Sequence, residues 1–131
     1  MKRIVICMDG TWQNLAWQTV DYDKVTGGAV DRRTNVAKIA QQTANADDQG
    51  VKQIVFYSPG VGARTFASRD QKTANYEGAT GAGSEESIIG AYLFLSFNYE
   101  LGDEIYLFGF SRGAFCARSL AGLVRRCGVL K

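Results

Sequence analysis

The sequence has 131 residues, of which 46% are hydrophobic and 21% charged, and its net charge is +2. That length and apolar share suit one compact domain with its own core. Its few charges are scattered, and the nearest thing to a basic cluster, Arg125-Arg126 with Lys131 beyond, gives no footing for a nucleic-acid surface or a polybasic membrane anchor.

In chain order, the first element is RIVICM (3–8), almost wholly apolar and rich in branched residues. Such a run predicts a strand covered on both faces, as in a parallel sheet. It is too short for the apolar region of a signal peptide, and no segment is long enough to span a bilayer. A long connection, 10–33, carries Trp12, Trp17 and Tyr22 among polar residues. These aromatics suit the wall of an acyl pocket or the packing of a loop, and the sequence does not choose. Thr34 or Asn35 is placed to cap a helix running to about Asp48, with Gly50 just past its end.

QIVFYS (53–58) predicts a second strand, followed by a glycine-rich connection, 59–83. Loops this long are usually functional or disordered, and both are expected to be the least ordered parts. SEESIIGAYLFLSFNYEL (84–101) predicts a helix with Ser84 as N-cap and Glu85 and Glu86 in its first turn. Its middle is apolar on nearly every side, so deep burial is expected. EIYLFGF (104–110) predicts the third strand, and a helix follows from Arg112 to about Arg126, with Ala114, Ala117 and Ala121 as a small-residue face against the sheet. The alternation implies an α/β fold with a three-stranded parallel sheet and right-handed crossovers, flanked by helices in a three-layer sandwich. Ligands of such sheets bind beyond the carboxyl ends of the strands, which here carry Asp9-Gly10-Thr11, Pro59-Gly60-Val61-Gly62 and Ser111.

Gly109-Phe110-Ser111-Arg112-Gly113 fits the G-x-S-x-G nucleophile elbow, set between a strand and a helix as that motif requires. Gly109 and Gly113 keep side chains out of the turn. The Arg112 amide, at a helix N-terminus, is one expected oxyanion donor, and Gly10 or Thr11 after the neighbouring strand supplies the other. Asp9 beside them is a supporting candidate. The difficulty is the base: the chain has no histidine.

Rival readings are weaker. Cys7-Met8-Asp9-Gly10-Thr11 resembles the D-x-D-G-T of haloacid-dehalogenase-type phosphatases but has cysteine in the nucleophile's place. EGATGAGSEES (77–87) lacks the lysine of a phosphate loop, and two glutamates would repel an anion there. Cys7, Cys116 and Cys127 have no metal-ligand spacing and read as free buried thiols. Arg112 and Arg118 suit an anionic head group or structural ion pairs, the latter favoured for Arg118. No cofactor or metal is called for.

MDGTWQN, NVAKI, YSPGVG and the block from Gly81 to Val124 together resemble the uncharacterised α/β-hydrolase domain shared with type VI secretion phospholipase effectors. The resemblance covers nearly the whole chain, and its most specific part is G-F-S-R-G-A. It implies a serine hydrolase acting on phospholipid or related carboxylic esters with Ser111 as nucleophile, and an acid and base from strands beyond Lys131. Together with the alternation, its layout implies the sheet order 2-1-3 of a partial α/β-hydrolase fold, and residues 1–131 would then be the N-terminal part of a catalytic domain, inactive alone. The resemblance also implies, as partners, the missing C-terminal segment or an immunity protein, with export by a type VI system. The alternative is a non-catalytic piece that pairs with another chain through its exposed sheet edge.

Overall fold

The computed structural model describes residues 1–13, 21–22, 29–31, 33–60 and 83–130. Its elements are β1 (Arg3–Met8), β2 (Asp21–Tyr22), β3 (Ala29–Val30), α1 (Asn35–Gln42), β4 (Gln53–Ser58), α2 (Ser84–Asn98), β5 (Glu104–Gly109) and α3 (Arg112–Cys127). The two long connections fall mostly outside the described residues; within the first, β2 and β3 pair antiparallel.

The main sheet has the order β4-β1-β5, all parallel, which is the expected 2-1-3 arrangement. It is the α/β class anticipated from sequence and consistent with part of a hydrolase-like sheet. The residue run explains why β1 is central. Ile4 through Met8 are all buried, and alternate side chains feed two different cores. Ile4, Ile6 and Met8 meet Ala91 and Leu95 of α2 and Cys116, Ala117 and Leu120 of α3. Val5 and Cys7 point the other way, onto Val36 of α1. The helices therefore lie on both faces. Two βαβ units, β1–α1–β4 and β4–α2–β5, carry every crossover between the parallel strands.

Three local expectations are corrected. First, α1 stops at Gln42, six residues before Asp48. The Thr43 hydroxyl donates to the Ile39 carbonyl (2.7 Å), and the chain then turns on Asp47, whose Oδ1 accepts from the amides of Gln49 and Val51 (both 2.9 Å). Gly50, at φ +79°, serves that turn and not the helix end. Second, Ser84 is the first helical residue and Gly83, at φ +95°, takes the N-cap place. Third, α2 is not deeply buried. Only Ala91 and Leu95 are, whereas Ile89, Leu93 and Phe97 are exposed at a spacing of four. A helix apolar on all sides carries no signal for which side faces the core. On α3, similarly, Gly113, Cys116, Ala117 and Leu120 are the buried face, while Ala121 is exposed.

The strand starts are fastened by charge. The Lys2 amide donates to Asp103 Oδ1 (2.8 Å), its ammonium pairs with Oδ2, and the Glu100 amide donates to Oδ2 (2.8 Å). Arg3 pairs with Asp47 and with Glu104 (3.0 Å). Burial pushes the Asp103 carboxyl up, but the Lys2 ammonium and the two amides outweigh it and hold it at about 2. A carboxyl depressed in the folded state contributes stability that is present above the unfolded value of about 3.9 and is lost as pH falls. The urea midpoint gap between wild type and Asp103→Asn should therefore be open at pH 5 and close as the pH falls towards 2. An equal gap at both ends would contradict this role.

Candidate functional site

The carboxyl end of the sheet brings three chain segments together. The first is the turn between β5 and α3. Phe110 extends the strand by one bond, its amide donating to the Met8 carbonyl (3.1 Å). The chain then reverses at Ser111, which sits at φ 53°, ψ −123°, and the Ala114 amide closes onto the Ser111 carbonyl (3.0 Å). That conformation costs a non-glycine residue about 1–3 kcal/mol and persists only where its surroundings enforce it. Here they do so through glycine. A Cβ on Gly109 would lie 2.6 Å from Ala114 Cα and from the Gly113 carbonyl oxygen, and one on Gly113 would lie 2.2 Å from the Met8 carbonyl oxygen and 2.4 Å from that of Asp9. The absent side chains let α3 press onto the end of β1.

Serine is among the favoured helix N-caps, since its hydroxyl normally accepts from an amide of the first turn. Ser111 occupies the N-cap of α3 without making that bond, and it is exposed. At these backbone angles the hydroxyl takes no part in capping. Arg112, the next residue, is the first of the helix, so its amide lies at the positive end of the α3 dipole.

The second segment follows β1. Asp9 is a buried carboxylate, 3% exposed. Its Oδ2 accepts from the hydroxyls of Tyr57 (2.6 Å) and Thr34 (2.9 Å), and its Oδ1 accepts from the Gly10 amide (2.8 Å). Thr34 works twice, because its oxygen also accepts from the Ala37 amide as the N-cap of α1 (3.0 Å). Asp9 thus ties the ends of β1 and β4 to the start of α1. The Gly10 amide, expected to face an oxyanion, is engaged by Asp9. Thr11 is the remaining residue of that expected pair. Tyr57 and Thr34 were not visible as site residues in the sequence, because nothing in a tyrosine at a strand end or a helix-capping threonine signals a common carboxylate.

Beyond Asp9 the chain makes a four-residue turn, with the Gln13 amide on the Gly10 carbonyl (2.9 Å). The third segment, the end of β4, packs on it: the Gly60 amide donates to the Gln13 carbonyl (2.8 Å), and a Cβ on Gly60 would overlap the Gly10 carbonyl oxygen at 1.5 Å. Trp12 takes the third position of this turn at φ 61°. Glycine is the usual choice there, so tryptophan carries strain on the order of 1 kcal/mol. Ser111 and Trp12 are the two non-glycine residues at positive φ among those described. A cleft of about 420 Å³, lined by Arg33, Thr34, Asn35, Val36, Gly109 and Phe110, opens beside the serine turn.

The phosphatase-like reading loses its footing here, whereas residues 77–82 of the phosphate-loop reading lie outside the described residues. Cys7 is wholly buried, and burial, with the Asp9 charge added, pushes its thiol up to about 11. That is a core thiol and not a group facing substrate. Cys116 is likewise buried with its thiol pushed up by burial, whereas Cys127 is exposed, contrary to expectation. Arg118 is exposed and makes no ion pair among the described residues, so the structural role favoured for it is not found. Among the described residues no group of acidic, cysteine or histidine side chains is placed to hold a metal ion, and no helix is long and apolar enough to cross a membrane.

Residues 2–131 match the family described as "T6SS, Phospholipase effector Tle1-like, catalytic domain". The chain belongs to that family. A relative, the uncharacterized protein YEL023C of Saccharomyces cerevisiae, is 36% identical over 138 residues. The match takes in 98% of this chain but 18% of the yeast protein, so the chain spans under a fifth of that relative's length. No solved structure matches. The family's description is that of the catalytic domain of a phospholipase effector. It leaves the roles of individual residues to the geometry above.

Proposed function

We propose that this chain is the nucleophile-bearing portion of a lipid-ester hydrolase, and that Ser111 is the nucleophile. The observation that carries the reading is the Ser111 turn: a strained, exposed serine between β5 and α3, at an N-cap it does not use, walled by Gly109 and Gly113. The Ser111 oxygen attacks the ester carbonyl carbon, and the electron pair of the C=O bond moves onto its oxygen. The backbone amides of Arg112 and Thr11 donate to that oxyanion, helped by the positive end of the α3 dipole. The tetrahedral intermediate collapses with expulsion of the alcohol. Water then cleaves the acyl-enzyme.

The proton leaving Ser111 needs an acceptor with pKa near neutrality. Asp9 does not fit, since both of its oxygens are occupied by donors inside the fold. With no histidine in the chain, the base and the acid that orients it are supplied by polypeptide other than these residues. The test is phospholipid and short-chain ester hydrolysis by this chain together with the polypeptide that supplies the base. Ser111→Ala should reduce turnover by about 10⁴-fold or more. Turnover within tenfold of wild type would rule Ser111 out.

A further inference from the structure

A carboxylate is unfavourable to bury without a counter-ion. Among the described residues no cation pairs with Asp9, and three neutral donors take the place of water around it. The donors are not spread evenly. The Tyr57 and Thr34 hydroxyls both reach Oδ2, while the Gly10 amide reaches Oδ1. Tyr57 is fixed in β4, in register with Cys7 of β1, and Thr34 is fixed at the start of α1. With Oδ2 gripped from two elements, the carboxylate plane is locked, and Oδ1 stays where it meets the Gly10 amide. The effect reaches one peptide further. In a trans peptide the C=O and the N–H point in opposite directions, and no described peptide is cis. The Asp9–Gly10 peptide is held at both ends. Its N–H meets Oδ1, and its carbonyl oxygen lies against Gly113, where a Cβ would be 2.4 Å away. In the next peptide, the Gly10 carbonyl is committed to the Gln13 amide (2.9 Å) and hemmed in by Gly60. The N–H of that peptide belongs to Thr11, so it must point out of the turn.

We propose that Tyr57 is a positioning residue for the reaction and acts through Asp9: its hydroxyl locks the carboxylate that orients Gly10, and so aims the Thr11 N–H at the oxyanion. This rests on the reading above, in which Thr11 is a donor, and it adds a residue that the reading does not require. Asp103 offers the contrast within the same fold. Its side chain is as deeply buried at the strand starts, but it has the Lys2 ammonium as counter-ion and joins elements far from Ser111. Asp9 has hydroxyls instead, which fix direction without supplying charge. An oxyanion donor is effective only when it is already aimed before charge develops, so a rigid mount for the Thr11 peptide bears on rate and not on ester binding.

The test uses this chain together with the polypeptide that supplies the base, and a short-chain ester as substrate. Tyr57→Phe keeps the ring and removes only the hydroxyl. It should lower kcat at least tenfold and leave KM within about twofold, since loss of one oxyanion donor lowers kcat by about 10²–10³-fold. Asp9→Ala should lower kcat at least as far. Asp103→Asn breaks a comparable network at the opposite end, and should lower stability while leaving kcat unchanged. A second measurement needs no activity. In the isolated chain, hydrogen exchange of the Gly10 amide, read by NMR, should quicken at least fivefold in Tyr57→Phe. The Ile6 amide, in the middle of β1, should keep its wild-type rate. Three results would overturn the proposal: kcat of Tyr57→Phe within twofold of wild type, an equal fall in Asp103→Asn, or unchanged Gly10 exchange. Turnover that depends on Ser111 but ignores Tyr57 sinks the positioning role alone. Turnover that survives Ser111→Ala sinks the catalytic assignment, and the positioning role with it, because no oxyanion is then formed at this turn.

Discussion

Gly113→Ala should be among the most damaging single-methyl additions to this protein. The new Cβ would lie 2.2 Å from the Met8 carbonyl oxygen and 2.4 Å from that of Asp9. Both atoms are backbone at the end of the central strand, which is bonded on both sides and cannot swing away as a side-chain tip could. Relief requires α3 to lift off β1, which opens the core formed by Cys116, Ala117 and Leu120 against Ile4, Ile6 and Met8. Overpacking of a well-filled core costs about 1–3 kcal/mol, and a clash with fixed backbone belongs at or above the top of that range. With a urea slope of about 1–3 kcal/mol/M for a small domain, a loss of about 3 kcal/mol moves the midpoint down by about 1–3 M. The same substitution farther along the same helix, at Gly122, meets nothing within 4 Å and should stabilise by roughly 0.5–1 kcal/mol through helix propensity. A Gly113→Ala midpoint at or above that of wild type would mean that α3 does not press on β1 as described.

The second large effect concerns activity. Purified residues 1–131 should hydrolyse esters barely above background. The chain offers a strained backbone conformation at Ser111 and a helix N-terminus beside it, but no histidine to take the hydroxyl proton. Where a triad loses its base, about 10³–10⁴-fold catalysis over water persists from the oxyanion donors and binding, against a full acceleration larger by about 10⁶-fold. Supplying the histidine-bearing polypeptide, in cis or in trans, should restore turnover by several orders of magnitude. Robust Ser111-dependent turnover by the chain alone would contradict the assignment of the base to other polypeptide.

Much of this was legible in the sequence. The three apolar runs gave the strands, their alternation with helices gave a parallel sheet, and the family resemblance put β1 in its middle. G-x-S-x-G placed the serine turn, because its glycines are demanded by backbone contacts that no other residue tolerates. What was not legible depends on tertiary choice. The end of α1 was set by the Thr43 hydroxyl and the Asp47 turn, which displaced Gly50 from the helix-ending role its type suggests. The face that α2 turns inward was invisible, because its sequence is apolar all round. Asp9 stood out, but its partners come from residues 25 and 48 positions away, and their hydroxyls engage it in a way no local pattern encodes. That network also takes up the Gly10 amide, which sequence alone had offered to the oxyanion.

The most direct test of the central claim is to locate a covalent adduct. This chain, supplied with the polypeptide proposed to carry the base, is treated with a fluorophosphonate probe, digested, and the modified residue read by tandem mass spectrometry. The probe's phosphorus should be found on Ser111, with labelling abolished by Ser111→Ala and retained in Ser119→Ala. An adduct on any other serine, or labelling that survives Ser111→Ala, would show that the turn between β5 and α3 does not hold the nucleophile.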